Sequence, residues 1–104
     1  MPRIPTHVVH FGPLNVVSSS RLQTYFLDLA RRQDMSAQAI QTGGWLFKRT
    51  FNVEIFEEVD FTVNNFLRML CQELLEGGHT DEAQALRSAV VTDWDGNRLQ
   101  VDIP

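Results

Sequence analysis

From Trp45 to Phe56 the chain alternates, and that alternation constrains the fold more than any other stretch. Trp45, Phe47, Phe51, Val53 and Ile55 share one parity; Leu46, Lys48, Thr50, Asn52, Glu54 and Phe56 share the other. A period of two sends the sets to opposite faces of a sheet, one apolar and one mainly polar. A sheet with one apolar face needs a second layer packed on it. Arg49 interrupts the apolar face. Either the residues around Lys48-Arg49-Thr50 form a turn or bulge that splits the stretch, or one long strand carries Arg49 beyond the edge of its cover. No Gly, Pro or Asn-Gly marks a turn there, which favours one long strand over 45–57.

Helical spacing supplies the second layer. Ser20 and Gln23 fit a capping box, and Leu22, Tyr25, Phe26 and Leu29 form one apolar stripe. Arg31 and Arg32 complement the dipole at the end of a helix expected over about 19–33. A second helix starts at Asp60 or Thr62 and carries Val63, Phe66, Leu67, Leu70 and Leu74. Met69, Cys71 and Leu75 widen its apolar surface, which predicts cover on more than one side. Gly77-Gly78 stops it, and Thr80 caps a short third helix that folds back as a hairpin.

The remaining strands come from weaker signals. Pro2, Pro5 and Pro13 keep the start extended, with His7 to Phe11 as a first strand. Gly12-Pro13 interrupts it, and Leu14 to Val17 continues it or pairs back on it. Ser36 to Gln41 reads as a helical turn ended by Gly43-Gly44. Val90 to Trp94, Asp95-Gly96 and Arg98 to Ile103 read as a closing β-hairpin. The fold class is therefore α+β: a single compact domain over 1–104 with an antiparallel or mixed sheet of four to five strands and two main helices on one face. It resembles a ferredoxin-like arrangement if 45–57 splits into two strands, and a cystatin-like one if a single long curved strand forms.

Length and charge narrow the function. The 104 residues suffice for one core. With 43% hydrophobic and 21% charged residues the chain has the composition of a globular domain. The net charge of −4 opposes a general nucleic-acid binder, which needs surplus cations for phosphate. The cations comprise eight Arg and only Lys48. One cysteine, Cys71, precludes an internal disulfide and reads as a buried thiol. No apolar run is long enough for a membrane span, and MPRIPTHVVHFG lacks the apolar core of a signal peptide, so a cytoplasmic setting is the default expectation.

Chemistry-bearing patterns are sparse. His7 and His10 fall on opposite faces of a strand, and His79 has no partner at ligand spacing, so no metal site is expected. Asp93-x-Asp95-Gly96-Asn97 places its glycine one ligand early for a calcium loop and reads as a turn. Glu54, Glu57, Glu58 and Asp60 lead into a helix N-terminus, where acidic residues belong. His10 and Glu54 are the best pair for proton transfer, with nothing in the sequence to bring them together. Leu29 to Ile40 has the cadence of a helix-turn-helix, but Gly43-Gly44 cuts off the recognition helix. Nucleotide and nucleophile-elbow motifs are absent.

Two functions follow as expectations. The first is a non-enzymatic small binding or regulatory protein, homodimeric, acting through a protein–protein surface and using no cofactor. The wide second helix and the apolar Phe56 and Leu46 on the mainly polar face mark such a surface, and Arg49 beside aromatic residues suits an interface anchor. The second is a small-molecule-binding domain or small enzyme, with a pocket between sheet and helices lined by Trp45, Phe47 and Tyr25 and addressed by Arg49.

Overall fold

The alternating stretch does form a strand, but that strand starts at Lys48. The computed structural model describes residues 4–103; the extended start expected around Pro2 lies partly outside them. The elements are β1 (His7–Asn15), α1 (Val16–Arg32), β2 (Ser36–Trp45), β3 (Lys48–Phe56), α2 (Asp60–Glu76), α3 (Thr80–Arg87), β4 (Val90–Asp93) and β5 (Arg98–Leu99). They build a five-stranded sheet in the order β2-β3-β1-β4-β5. Every pairing is antiparallel. In β1–α1–β2, the two strands are split by β3 between them, which is the connectivity of a ferredoxin-like arrangement, extended by α3 and β5. The single long strand over 45–57 is corrected: β2 ends at Trp45, Leu46 and Phe47 turn, and β3 begins.

The Ser36 segment is a strand and not a helical turn. Its Ala and Gln residues favour helix intrinsically. Pairing with β3 from Ser36↔Phe56 to Trp45↔Lys48 outweighs that preference. β1 runs through Gly12-Pro13 with a register shift between Phe11 and Leu14, so the interruption is a bulge within one strand. Val16 and Val17 leave the sheet and open α1, a turn earlier than the Ser20 capping box implies. The cap is Asn15, whose Oδ1 accepts from the Ser18 N–H at 2.8 Å. α1 ends with the Met35 N–H bonded to Ala30 O at 2.8 Å, and Asp34 holds the left-handed position at φ 55°. Gly78, at φ 79°, ends α2 in the same way, with the His79 N–H bonded to Leu74 O.

One sheet face is covered. Val9, Phe11, Phe51, Val53, Ile55 and Val91 are buried there beneath Leu22, Phe26 and Leu29 of α1 and Phe66, Leu67, Leu70 and Leu74 of α2. Phe11 stacks on Phe51 at 4.7 Å, and Phe26 meets Phe11 edge-on at 6.4 Å and Phe66 at 5.1 Å. Arg32 ties α1 to α2 through Glu73 at 2.6 Å. The two main helices, α1 and α2, make the layer together with the short α3. Cys71 is buried beneath it, whereas Met69 and Leu75 stay exposed, so α2 is covered less widely than its composition predicts. The radius of gyration is 12.8 Å, matching the ~13 Å of a compact domain of this length.

The terminal hairpin is shorter than its sequence suggests. β5 spans two residues, and Asp93 Oδ1 accepts from the N–H groups of Asp95 and Asn97 at 3.0 and 2.8 Å. The Asp-Gly-Asn run thus serves a turn that uses its first carboxylate internally.

Candidate functional site

The β2–β3 turn is the most unusual local structure in the chain. A two-residue hairpin turn needs positive φ, which normally selects Gly, Asn or Asp. Here Leu46 supplies it, with φ 54°. A bulky residue in that region costs about 1–2 kcal/mol. Arg49 stabilises the turn from beneath: its Nη1 donates to Leu46 O at 3.2 Å and to Lys48 O at 2.8 Å. The cation that broke the alternation is therefore part of the turn. Gly43 and Gly44 lie inside β2 and make room for it. A Cβ on Gly44 would come within 3.0 Å of Arg49 Cδ, and one on Gly43 within 2.8 Å of Thr50 Oγ1.

The turn displays what it would ordinarily hide. Trp45, Leu46 and Phe47 are 76%, 64% and 78% exposed. A run of three exposed large apolar residues is a defect in a surface loop unless it has a use. The patch continues into α1, because the Val16 N–H donates to Phe47 O at 3.1 Å and both Val16 and Val17 are exposed. Beyond them runs an open groove of about 460 Å³ lined by Val16, Val17, Ser20, Arg21, Thr24 and Tyr25. Tyr25 is half-buried, edge-on to the His79 ring at 5.2 Å.

Of the five residues singled out from sequence, the structure gathers Trp45, Phe47 and Arg49 at the turn and sets Tyr25 along the adjoining groove. Phe56 stands apart, half-buried at the far end of β3 opposite Ser36. The expected inward placement of Trp45 and Phe47 is corrected: both are exposed, so they line no space beneath the helices, and the sheet–helix interior is filled by the core. Leu46, expected as an apolar residue on the mainly polar face, is exposed at the turn, whereas Val16 and Val17 were missed as surface residues. The signal available was the unbroken Trp-Leu-Phe triplet, which alternation had divided between two faces.

The polar groups are dispersed. His7 and His10 do fall on opposite sheet faces. His7 is buried, and its Nε2 donates to Asp60 Oδ1 at 2.7 Å; the His10 Nε2 is 2.9 Å from Thr92 Oγ1. Register sets His10 against Asn52 and Glu54 against Val8, so His10 and Glu54 are diagonal neighbours on the open face. Among the described residues no three His, Cys, Asp or Glu side chains gather as a metal site. Glu82 is buried: burial pushes its carboxyl up, but hydrogen bonds from Ser18 and its own backbone and the Arg21 charge hold it below the usual range. Arg21 Nη1 reaches it at 3.3 Å. On the surface, the Arg31 and Arg32 guanidinium groups likewise hold Asp28 low.

No protein-family model, curated protein or solved structure matches this chain. No helix among the described residues is long and apolar enough to cross a membrane.

Proposed function

We propose that this chain is a non-enzymatic small binding or regulatory protein that acts as a homodimer through a protein–protein surface anchored on Trp45, Leu46 and Phe47. The observation that carries the reading is the exposed apolar triplet held on a strained turn. Left-handed Leu46 is maintained at an energetic cost where glycine would relieve it. Interfaces concentrate their energy in a few aromatic and Arg anchors of this kind. The polar groups nearby support binding more than chemistry, because the Arg49 guanidinium is turned onto backbone carbonyls. A cytoplasmic setting suits the sole, buried cysteine, Cys71.

The chain has two tryptophans, so Trp94→Phe leaves Trp45 as the only reporter. Its fluorescence is followed against protein concentration alongside the mass in solution. The expected result is a doubled mass accompanied by a blue shift as the indole leaves water. A monomeric mass up to millimolar concentration overturns the reading, and so does a dimer whose Trp45 emission stays that of an exposed indole.

A further inference from the structure

We infer that two copies of this chain join through β2, paired antiparallel with itself, so that the sheet continues across a two-fold axis and each Leu46–Phe47 turn seats in a cleft on the other copy. The inference rests on the self-association proposed above and specifies its geometry.

The two edges of the sheet are treated differently. β5, at one edge, is two residues long and carries Arg98. Short length and charge are the usual protections of an edge. β2, at the other edge, is ten residues long and reads Ser-Ala-Gln-Ala-Ile-Gln-Thr-Gly-Gly-Trp, with no charge and no proline. Its one protective feature is the register shift between Gln41 and Gly43. A long, uncharged edge is a template for another strand, and pairing with its own copy is closed and two-fold symmetric.

The ends of β2 are complementary. At its C-terminal end stands the exposed Trp45-Leu46-Phe47 turn. At its N-terminal end lies a depression of about 290 Å³ lined by Met35, Glu57, Phe61, Asn65, Phe66 and Met69. Phe61 is 71% exposed there. Centred antiparallel pairing sets Trp45 of one copy against Ser36 of the other, and the turn beyond it against Met35 at the cleft mouth. Phe47 O accepts from the first residue of α1, and the cleft lies between the end of α1 and α2, so the Leu46–Phe47 end of the turn and the cleft both border the helix layer. A two-fold axis normal to the sheet keeps them on that side. Charge agrees: Lys48 and Arg49 follow the turn, and Glu57 lines the cleft. Opposite rim charges fix orientation and register.

Area points the same way. The triplet exposes roughly 400 Å² of mainly apolar surface, about half of the ~800 Å² per partner that a stable interface buries. A flat contact through the triplet alone falls short. The strand edge and the Phe61–Met69 cleft supply the remainder.

The test uses single cysteines in a Cys71→Ser chain of full length, with folding checked by circular dichroism. Gln38→Cys, Ile40→Cys, Gln41→Cys and Leu46→Cys are each oxidised, and the cross-linked dimer is measured. A two-fold axis through the middle of β2 gives self-cross-linking that peaks at residue 40 or 41 and is lost at 46. A peak at 46 overturns this geometry in favour of turn-to-turn contact and leaves the proposed function standing. No cross-link at any position, with a monomeric mass, overturns both. A second variant, Ile40→Lys, sets like charges across the axis at an exposed position. It weakens self-association at least about 10-fold with the dichroism spectrum unchanged; unaltered association overturns the β2 pairing.

Discussion

Glu82 is the one acidic side chain among the buried polar residues, at 2% exposure, and the reason it is tolerated dictates how the protein responds to acid. Burial alone would raise its pKa; the hydrogen bonds from Ser18 and its own backbone, with the Arg21 charge, reverse the sign. A carboxylate with a lowered folded-state pKa contributes stability that is fully present above its ordinary value of 4.5 and disappears as the pH falls through the lowered one. Glu82→Gln keeps the shape and removes the charge. It is expected to cost about 1–3 kcal/mol at pH 7. The gap between wild type and variant should start to narrow as the pH falls below about 4.5 and close as it passes through the lowered folded-state value, where the wild-type carboxylate is also neutralised. Urea titrations of both proteins across that range measure it, and a gap that holds constant to pH 3 sinks the assignment.

At the scale of elements, the β2–β3 hairpin trades stability for display, and two substitutions separate the terms. Leu46→Gly relieves the left-handed strain, offset in part by glycine's greater backbone entropy. It should raise stability by about 0.5–1 kcal/mol, a shift of several degrees in Tm measured on monomer at low concentration, while self-association weakens. A variant that is less stable and associates normally would show that the turn is not strained. Gly43→Ala drives a methyl group against Thr50 Oγ1 and is expected to cost about 1–2 kcal/mol. In a Thr50→Ala background most of that cost should vanish, and a double-mutant cycle by thermal unfolding reads the coupling. The same hairpin shows what sequence can and cannot carry. Stripes such as Val63, Phe66, Leu67, Leu70 and Leu74 were legible because burial and helical period coincide. β2 was not, because Ala and Gln speak for a helix and only the unsatisfied edge of β3 makes them a strand. The turn was not, because its positive φ sits on Leu46 and its bracing cation, Arg49, resembles an error in a longer strand. The aromatic residues of the site were legible by type, but alternation gave Trp45 and Phe47 the wrong environment once the strand they were counted in proved to be two.

For the whole molecule, a one-sided fold of this size has a consequence for stability. Helices cover one face of the sheet, with Ala37 and Ala39 of β2 packed against the core, while the outer edge of β2 and the Trp45-Leu46-Phe47 turn lie outside that cover. A domain of 104 residues buries less of its surface than a larger one and holds a modest margin. The proposed association through β2 would add buried area that the monomer lacks, linking unfolding to dissociation and making the Tm concentration-dependent. A tenfold rise in concentration is worth about 1.4 kcal/mol per dimer, or about 0.7 kcal/mol per chain. Across each tenfold step above the dissociation constant this should lift the Tm by roughly 3–5 °C. Phe47→Ser removes an exposed side chain that makes no contribution to the core, so its monomer should melt where the dilute wild type does. Its Tm should stay flat with concentration, because an aromatic anchor typically costs an interface 2 kcal/mol or more, about 30-fold in affinity. Scanning calorimetry of both proteins over two decades of concentration decides the matter. Parallel slopes for wild type and Phe47→Ser place the association elsewhere on the molecule, and a flat wild type means that the monomer carries its whole stability alone.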